Sequence, residues 1–306
     1  MRERVVEVGH DGRHICKDRG FLVVKSGEEE VGKIPLDDIG SVIANAHGIT
    51  YSNSLVAALA ERSIPLVVCD AKFAPVAMMW PTITHHRQCE RFDAQVNAGA
   101  PLKKRLWQDI IRCKIKMQSE ALQAIDKFED ARKIGVMVQK VLSGDSTNVE
   151  SQAARQYFPA MFGPEFRRDR GRDGLNAFLN YGYTILRSTM ARAIMGAGLH
   201  PSFAIHHENV CNPMRLVDDL LEPFRPVADL HAHFLSLKGE KELHPETKRF
   251  LVKSSVADMQ GNRGIGPVSE QMQRLATSFA QVLLKERQRL ALPKGILPIV
   301  PVSGHE

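Results

Sequence analysis

The stretch that decides the fold runs from Gly198 to Pro226 and reads GLHPSFAIHHENVCNPMRLVDDLLEPFRP. It places two adjacent histidines, His206 and His207, shortly before a group of carboxylates. Leu216 and Leu220 lie one helical turn apart, which predicts a helix with an apolar side. The stretch therefore predicts acids and imidazoles held close together inside otherwise apolar helical sequence.

The acids of this predicted helix share one face. Asn212 followed by Pro213 predicts an N-cap and the first helical residue. Asp219 precedes Glu222 by three positions and Asp218 precedes it by four, so these carboxylates are neighbours on the helix surface. Such acids either cap helices and form surface ion pairs, or hold a metal ion, and the residues alone leave both alternatives open.

A metal site of carboxylates with an imidazole favours Mg²⁺ or Mn²⁺. Oxygen ligands suit Mg²⁺, and a histidine moves the preference towards Mn²⁺. Zinc is not favoured, because the sequence has no H-E-x-x-H motif and its cysteines form no C-x-x-C pair. An ion of this kind on a basic protein points to phosphodiester chemistry, in which the metal stabilises charge on the phosphoryl group and the leaving oxygen.

Composition sets the broad class. The 306 residues allow two domains, and 43% hydrophobic with 25% charged residues is typical of a soluble globular protein. No apolar run is long enough to span a bilayer, and the charged N-terminus does not resemble a secretory signal. Five scattered cysteines favour a reducing cytoplasm. The net charge of +6 is compatible with a polyanionic partner.

The N-terminal part of the chain is predicted to be rich in strands. Short apolar runs bounded by Gly, Asp or Ser predict strands at 4–8, 21–25, 39–43, 64–69 and 75–80. Helical spacing predicts one helix at 54–62. This part therefore reads as a small domain of mostly sheet.

The remainder is predicted to be helical, so the fold class is α+β: a small β-rich N-terminal domain followed by a larger all-α C-terminal domain. We expect a β-rich domain at 1–85, a linker at 86–100, a helical domain at 101–291 and a Pro-rich tail at 292–306. In the helix after Pro101, the apolar side includes Leu106, Ile110 and Met117. The lysines and arginines around them, Lys114 included, either contact phosphates or form a solvated face.

Two further features could serve a site. Asn148 is predicted to cap a helix whose first turn holds Glu150, although the helix dipole by itself favours an acid there. The loop 166–174 carries cations that could contact DNA phosphates, with a mixed-charge solvated loop as the alternative. These cations are Arg167, Arg168, Arg170 and Arg172.

Four motifs together resemble one protein family over nearly the whole chain. They are ESQAAR at 150–155, NAFLNYGY at 176–183, the sequence GLHP with His207 six residues after Pro201, and DLLEPFRP at 219–226. The first, second and fourth resemble E-x-x-x-A-R, N-x-x-L-N-Y-x-Y and D-L-M-E-P-F-R-P in the CRISPR-associated integrase, the endonuclease of the spacer-acquisition complex. The EPFRP form is most similar to members that accompany a single-protein RNA-guided effector, the type II systems.

The resemblance implies a site. Position by position, the metal ligands would be Glu150, His207 and Glu222, with Asp219 as a nearby supporting carboxylate and Mg²⁺ or Mn²⁺ as the cofactor. The spacing from Pro201 favours His207 over His206 as the ligand.

The resemblance also implies an activity and an assembly. The 3′-hydroxyl of a short DNA fragment, the spacer precursor, would attack a phosphodiester at the edge of a CRISPR repeat, and water in its place would hydrolyse DNA. The family works as homodimers bridged by a small ferredoxin-like subunit into a heterohexamer, with the β-rich domain as the dimerisation element. The competing hypotheses are a general metal-dependent DNA nuclease and a DNA-binding scaffold without enzymatic activity.

Overall fold

The described part of the N-terminal region is built from strands, one α-helix and a short 3₁₀ turn at Leu36–Asp38. The computed structural model describes residues 4–69, 75–169, 171 and 173–297. In chain order the elements are β1 (Arg4–Val8), β2 (Arg13–Asp18), β3 (Phe21–Ser26), β4 (Glu29–Pro35), β5 (Ile39–Ala44), β6 (Thr50–Tyr51), α1 (Asn53–Glu61), β7 (Leu66–Cys69) and β8 (Pro75–Met78).

These strands form two four-stranded sheets. The first has the order β1-β5-β7-β8, with parallel pairing except between β7 and β8. The second has the order β4-β3-β2-β6, in which β2, β3 and β4 form an antiparallel meander. Ile15, Leu22 and Leu59 are fully buried among the sheets and α1.

The predicted strands and the predicted helix of this region are all present, with boundaries that differ by a few residues. Sequence analysis missed β2, β4 and the two-residue strand β6. In β2 only Ile15 is buried, and β4 has no fully buried residue at all. Strands that pair mainly through their backbones on a solvated face need no apolar run, so neither produced a sequence signal.

The C-terminal region is mostly helical, which confirms the α+β fold class. Its helices are α2 (Gln88–Val96), α3 (Ala100–Gln123), α4 (Phe128–Gly135), α5 (Val149–Phe162), α6 (Leu175–Gly196), α7 (Arg215–Leu221), α8 (Arg225–Leu237), α9 (Pro245–Val252) and α10 (Val268–Leu283). Buried α3 packs against α4, α5, α7 and α8, while α6 packs against α8, α9 and α10. Across the described ranges, none of the helices combines the length and the apolar character that a membrane span requires.

This region is not entirely helical. Strands β9 (Asp258–Gly261), β10 (Gly264–Pro267) and β11 (Gly295–Ile296) form a small antiparallel sheet with β9 in the centre. Strand β11 comes from the segment predicted to be a Pro-rich tail, and its Ile296 N–H donates to Glu120 Oε2 at 2.7 Å. Residues 298–306 of that segment lie outside the described residues. Glycine-rich strands this short show no periodicity, which is why sequence analysis did not find them.

Helix α2 lies within the predicted linker and packs against the end of α6. Arg91 Nη1 donates to the carbonyl of Ala197 at 2.6 Å. The buried amide of Gln95 makes two bonds to the main chain of His200, donating at 3.0 Å and accepting at 2.8 Å. Helix α2 therefore fixes the start of the loop that carries His207.

Gly198 permits this packing. Its φ is +58°, in the left-handed region, and a Cβ atom there would lie 2.5 Å from Cβ of His85. Glycine is the residue that satisfies both constraints without strain or a steric clash. The chain therefore leaves α6, which ends at Gly196, through a turn that only a glycine at position 198 can form.

The first sheet is joined to the helices by apolar packing and by a partly buried ionic cluster. Ile43 of β5 shares a core with Ile185 of α6. Beside it, Glu7 of β1 accepts hydrogen bonds from Tyr181 Oη at 2.6 Å and Lys248 Nζ at 2.7 Å. Burial by itself raises the pKa of Glu7, but Lys248, Tyr181 and Asn45 outweigh burial and lower it.

We expect Glu7→Gln to lower the melting temperature at pH 7, because the charge that Lys248 and Tyr181 stabilise is lost. The pKa of Glu7 in the folded protein lies below its ordinary value of 4.5. Its contribution is therefore complete above that value and disappears as pH falls through the lower, folded value. Thermal melting between pH 3 and 8 should show the two proteins converging at acid pH.

The matched control is Glu28→Gln, which changes an exposed acid in the turn between β3 and β4. It should leave the melting temperature near that of the wild type throughout this range. A Glu7→Gln deficit that stays constant down to pH 3 would show that the carboxylate charge of Glu7 does not stabilise the interface.

Candidate metal centre

Glu150 is fixed by the capping of α5. Asn148 has a left-handed conformation, and its side chain accepts the N–H of Ser151 at 3.2 Å, so the predicted N-cap is confirmed. Asp145 adds a second cap, accepting the N–H groups of Val149 at 2.9 Å and Glu150 at 3.0 Å. The main chain of Glu150 is therefore held from two sides, which directs its side chain towards α3.

Glu222 lies in the single 3₁₀ turn, Glu222–Phe224, that joins α7 to α8. Its side chain is 5% exposed, and Oε1 accepts from Arg225 Nε at 2.8 Å. Oε2 lies 2.5 Å from Lys114 Nζ but is buried without a hydrogen bond of good geometry. Burial alone would raise the pKa of Glu222, but the cations of Arg225 and Lys114 outweigh it and lower the pKa to about 2.

Lys114 joins the two glutamates. Its Nζ lies 2.6 Å from Glu150 Oε1 and 2.5 Å from Glu222 Oε2, and its side chain is 11% exposed. Burial opposes the charge, but Glu222 and Glu150 together raise the pKa of Lys114, so the ammonium stays charged.

The alternatives considered for the basic residues of this helix, phosphate contacts or a solvated face, are both wrong for Lys114. It is buried and bound to protein carboxylates. Its position four residues after Ile110 and three before Met117 places it on the apolar stripe of α3, and this spacing is the signal that could have found it.

His207 lies in the loop between α6 and α7 and is oriented by Asp219. Its Nδ1 is 2.6 Å from Asp219 Oδ1, and the Asp219 side chain is fully buried on α7. Asp219 also accepts the N–H groups of Ile205, His206 and His207 at 2.6, 3.1 and 3.2 Å. An ionised carboxylate only accepts, so Nδ1 of His207 donates and Nε2 keeps its lone pair for a ligand.

The hydrogen bond to Asp219 has an electrostatic consequence. It raises the pKa of His207 against the opposing effect of burial. The same hydrogen bond fixes the orientation of the ring and, in the neutral imidazole, its tautomer, as in metal-binding histidines whose second ring nitrogen is bound by a carboxylate.

His206 has a different environment. Its ring stacks on Trp107 with 4.2 Å between the ring centroids and 7° between the planes. Trp107 is 2% exposed, whereas His206 is exposed and turns its other face to solvent. The two adjacent histidines therefore have different roles: the ring of His206 packs on the core residue Trp107, and His207 binds Asp219.

The third acid of the predicted face, Asp218, is paired elsewhere. It accepts from Arg187 Nε at 2.8 Å and from Asn212 Nδ2 at 2.7 Å. The prediction that Asn212 caps α7 and that Pro213 is its first residue is wrong. The side chain of Asn212 instead accepts the N–H of Met214 at 3.0 Å, and the helix begins at Arg215. A turn closed by the asparagine side chain precedes the helix, because that side chain bonds to its own backbone two residues on.

The structure brings the predicted ligands together as two pairs. Glu150 and Glu222 both contact the ammonium of Lys114. His207 contacts Asp219, which lies about one helical turn before Glu222. Within the part of the chain that the structure describes, no three His, Cys, Asp or Glu side chains are arranged to hold a metal ion as they stand. The donor set nevertheless suits a divalent cation, since two carboxylates converge on one buried point and Glu222 Oε2 has no well-formed hydrogen bond there.

A buried aspartate that sequence analysis missed connects the helices around this point. Asp229 of α8 accepts from Tyr157 Oη of α5 at 3.0 Å and from Tyr183 Oη of α6 at 2.5 Å. The guanidinium of Arg225 lies 4.7 Å from the centroid of the Tyr183 ring. Burial raises the pKa of Asp229 to about 6. The helices that carry Glu150 and Arg225 are thereby held at a fixed separation.

The predicted DNA-binding loop is only partly described, because Arg170 and Arg172 lie outside the described residues. Arg167 is exposed and donates to the carbonyl of Pro164 at 2.8 Å. Arg168 is half-buried and donates to Asn176 at 2.9 Å and to Asn180 at 2.7 Å. At least Arg168 thus has a structural role in anchoring the loop to α6.

A groove of about 360 Å³ opens beside His207. Its lining includes the cations Lys103 and Arg215, the rings of Phe203 and His206, and one acid, Glu208. Neither cation forms an ion pair within the described ranges. The groove is accordingly basic and aromatic and adjoins the candidate centre.

Comparisons with known proteins agree with the motifs. The family model "CRISPR associated protein Cas1" matches residues 6–249. The CRISPR-associated endonuclease Cas1 of Neisseria meningitidis serogroup C is 34% identical over 302 residues, covering 98% of each chain.

Solved structures share the fold. A casposase bound to its integration product superposes with a TM-score of 0.80 at 18% identity, covering 99% of this chain and 96% of that one. A Cas6-RT-Cas1–Cas2 complex superposes with a TM-score of 0.74 at 17% identity, covering 98% of this chain and 36% of that one. With the family model matching most of its length, the chain belongs to the CRISPR-associated Cas1 family.

Proposed function

We propose that this protein is a metal-dependent DNA endonuclease and integrase that inserts short DNA fragments into a CRISPR array. The observation that carries the proposal is the convergence of Glu150 and Glu222 on one buried point, with the oriented imidazole of His207 nearby. Membership of the Cas1 family supports it, as does the fold shared with a casposase bound to an integration product.

The proposed cofactor is Mg²⁺ or Mn²⁺. Glu150, Glu222 and His207, the last through Nε2, would hold the ion. When bound, such an ion supplies Lewis-acid stabilisation of negative charge on a phosphoryl group. Asp219 keeps Nε2 of His207 free by binding Nδ1, and Arg225 keeps Glu222 ionised.

The proposed reaction exchanges phosphodiester bonds. The 3′-hydroxyl of the fragment attacks the phosphorus at the repeat edge, and the 3′-oxygen of the repeat strand leaves. One phosphodiester forms as another breaks, so no nucleotide cofactor is required. With water as the nucleophile, the same arrangement would hydrolyse DNA, which is the general-nuclease alternative.

The scaffold alternative assigned the acids to helix capping and surface pairs. Glu222 occupies the C-cap position of α7, but its carboxylate is 5% exposed and is bound to the side chains of Lys114 and Arg225. Burying a charged cluster is costly, and an inert scaffold gains nothing from it. This observation counts against the scaffold.

We propose that DNA approaches along the groove beside His207. Lys103 and Arg215 form no ion pair with the described residues, so their charges are available to phosphates. The rings of Phe203 and His206 line the groove, where bases can stack. The lining of the groove includes His207, so DNA bound there would reach the candidate centre.

The assembly and the location also remain proposals. We propose a homodimer through the β-rich region and a heterohexamer with a small ferredoxin-like subunit, supported by the likeness to a Cas1–Cas2 assembly. The five cysteines are free thiols, which supports a reducing compartment such as the cytoplasm.

We expect Glu150→Gln, Glu222→Gln and His207→Asn each to reduce joining by more than the roughly 10–100-fold that losing a residue behind a metal ligand costs, because each removes a proposed ligand itself. The assay measures the insertion of a labelled duplex into a repeat-bearing plasmid with Mn²⁺ or Mg²⁺ and the partner subunit. Glu129→Gln, an exposed acid on α4, serves as the matched control and should join normally. Wild-type hydrolysis without any joined product would support the general nuclease instead.

Asp219→Asn should weaken Mn²⁺ binding by roughly 10–100-fold, the usual cost of losing the partner that orients a metal-binding histidine. The loss should be smaller than that caused by Glu222→Gln in the same Mn²⁺ titration. Asp218→Asn is the control, since this neighbouring acid is bound to Arg187. An equal loss in Asp219→Asn and Glu222→Gln would make Asp219 a direct ligand.

Lys103→Gln and Arg215→Gln should each weaken DNA binding and reduce the slope of log affinity against log salt by about 0.7–0.9, the contribution of one phosphate contact. The slope is measured by titrating labelled DNA at several salt concentrations. Lys133→Gln, an exposed substitution on α4, should leave it unchanged. A slope that changes only in Arg167→Gln would place the DNA on the loop 166–174.

A further inference from the structure

The ammonium of Lys114 occupies the point on which the two proposed glutamate ligands converge. It lies 2.6 Å from Glu150 Oε1 and 2.5 Å from Glu222 Oε2. The three side chains come from α3, α5 and the turn after α7, and their exposed fractions are 11%, 28% and 5%. This contact therefore determines the separation of the two carboxylates.

The local charge is balanced only while Lys114 is present. Glu150 and Glu222 carry two negative charges, and Lys114 and Arg225 carry two positive charges. Without Lys114, two carboxylates would face each other in a largely buried site with no cation between them. Like charges so close in a protein interior repel strongly, so the ammonium is required to hold this geometry.

A divalent ion would seek the same oxygens. An ammonium is a compact point charge on a flexible stem, and Mg²⁺ or Mn²⁺ is a compact charge that prefers carboxylate oxygens. If Lys114 stayed in contact while the ion bound both glutamates, the four side chains and the ion together would carry two excess positive charges. Lys114 and the ion are thus competitors for Glu150 and Glu222.

We propose that Lys114 is a resident monovalent cation that holds Glu150 and Glu222 together before metal binding and is displaced from them by the divalent ion. This inference rests on the proposed metal centre. It makes Lys114 a positioning residue that stabilises the metal-free protein and weakens metal affinity. How much of the centre the divalent ion occupies is then set by its competition with the ammonium of Lys114.

The test compares Lys114→Met with the wild type in two measurements that need no catalysis. Thermal melting without metal should show a lower melting temperature for Lys114→Met, since Glu150 loses the cation that binds it and Glu222 keeps only Arg225. Electron paramagnetic resonance of free Mn²⁺ should show tighter binding, on the order of tenfold or more, because the competing charge is gone. The rise in melting temperature on adding Mn²⁺ should also be larger than in the wild type.

Further variants keep the test decisive. Lys114→Gln keeps a donor for one carboxylate and is measured in the same way if Lys114→Met does not fold; it too should bind Mn²⁺ more tightly than the wild type. Lys114→Arg retains the charge in a fork that can bridge two carboxylates, so it should not gain affinity. Lys104→Met, an exposed position on the same helix, is the matched control and should behave as the wild type.

Two results would overturn the inference. Equal Mn²⁺ affinity in Lys114→Gln and the wild type would show that the ion binds without displacing Lys114. Weaker affinity in Lys114→Gln would show that Lys114 supports the ion. Failure of the proposed metal centre gives a different result. The wild type would then either bind no Mn²⁺ or bind it equally well in Glu150→Gln and Glu222→Gln.

Discussion

The contact of one ammonium with two carboxylates is the interaction on which the candidate site depends. Lys114, Glu150 and Glu222 are far apart in sequence and belong to three different elements, yet they meet within hydrogen-bonding distance. Charged groups are kept in a protein interior only when partners compensate their lost hydration. The helices α3, α5 and α7 must therefore pack in a single arrangement for the site to exist.

Other buried acids enforce that arrangement. Asp145 caps the helix that carries Glu150. Asp219 accepts hydrogen bonds from His207 and from the backbone of the loop around it, and Asp229 of α8 binds one tyrosine of α5 and one of α6. Each carboxylate accepts from at least two donors, so each fixes more than one element at once. The polar interior of the helical region is a scaffold for the site as well as part of it.

The strand-rich region takes part through its packing on the helices. Its first sheet shares a core with α6, and Glu7 binds Tyr181 of that helix. At the other end of α6, helix α2 holds the turn at Gly198 and the main chain of His200, where the loop of His207 begins. The long helix α6 thus links the sheet packing to the position of the imidazole.

The sequence by itself determined the α+β class, the helix α5 with its cap at Asn148, and the family, because caps, periodicity and contiguous motifs are local properties. It also predicted Glu150, His207 and Glu222 as a set. Only the tertiary structure decided that Lys114 is buried between two of them, that Asp219 and Asp218 have different partners, and that 88–96 is a helix. Periodicity shows which side of an element is buried, but the partners of a buried charge come from other elements, and their meeting depends on how the whole chain packs.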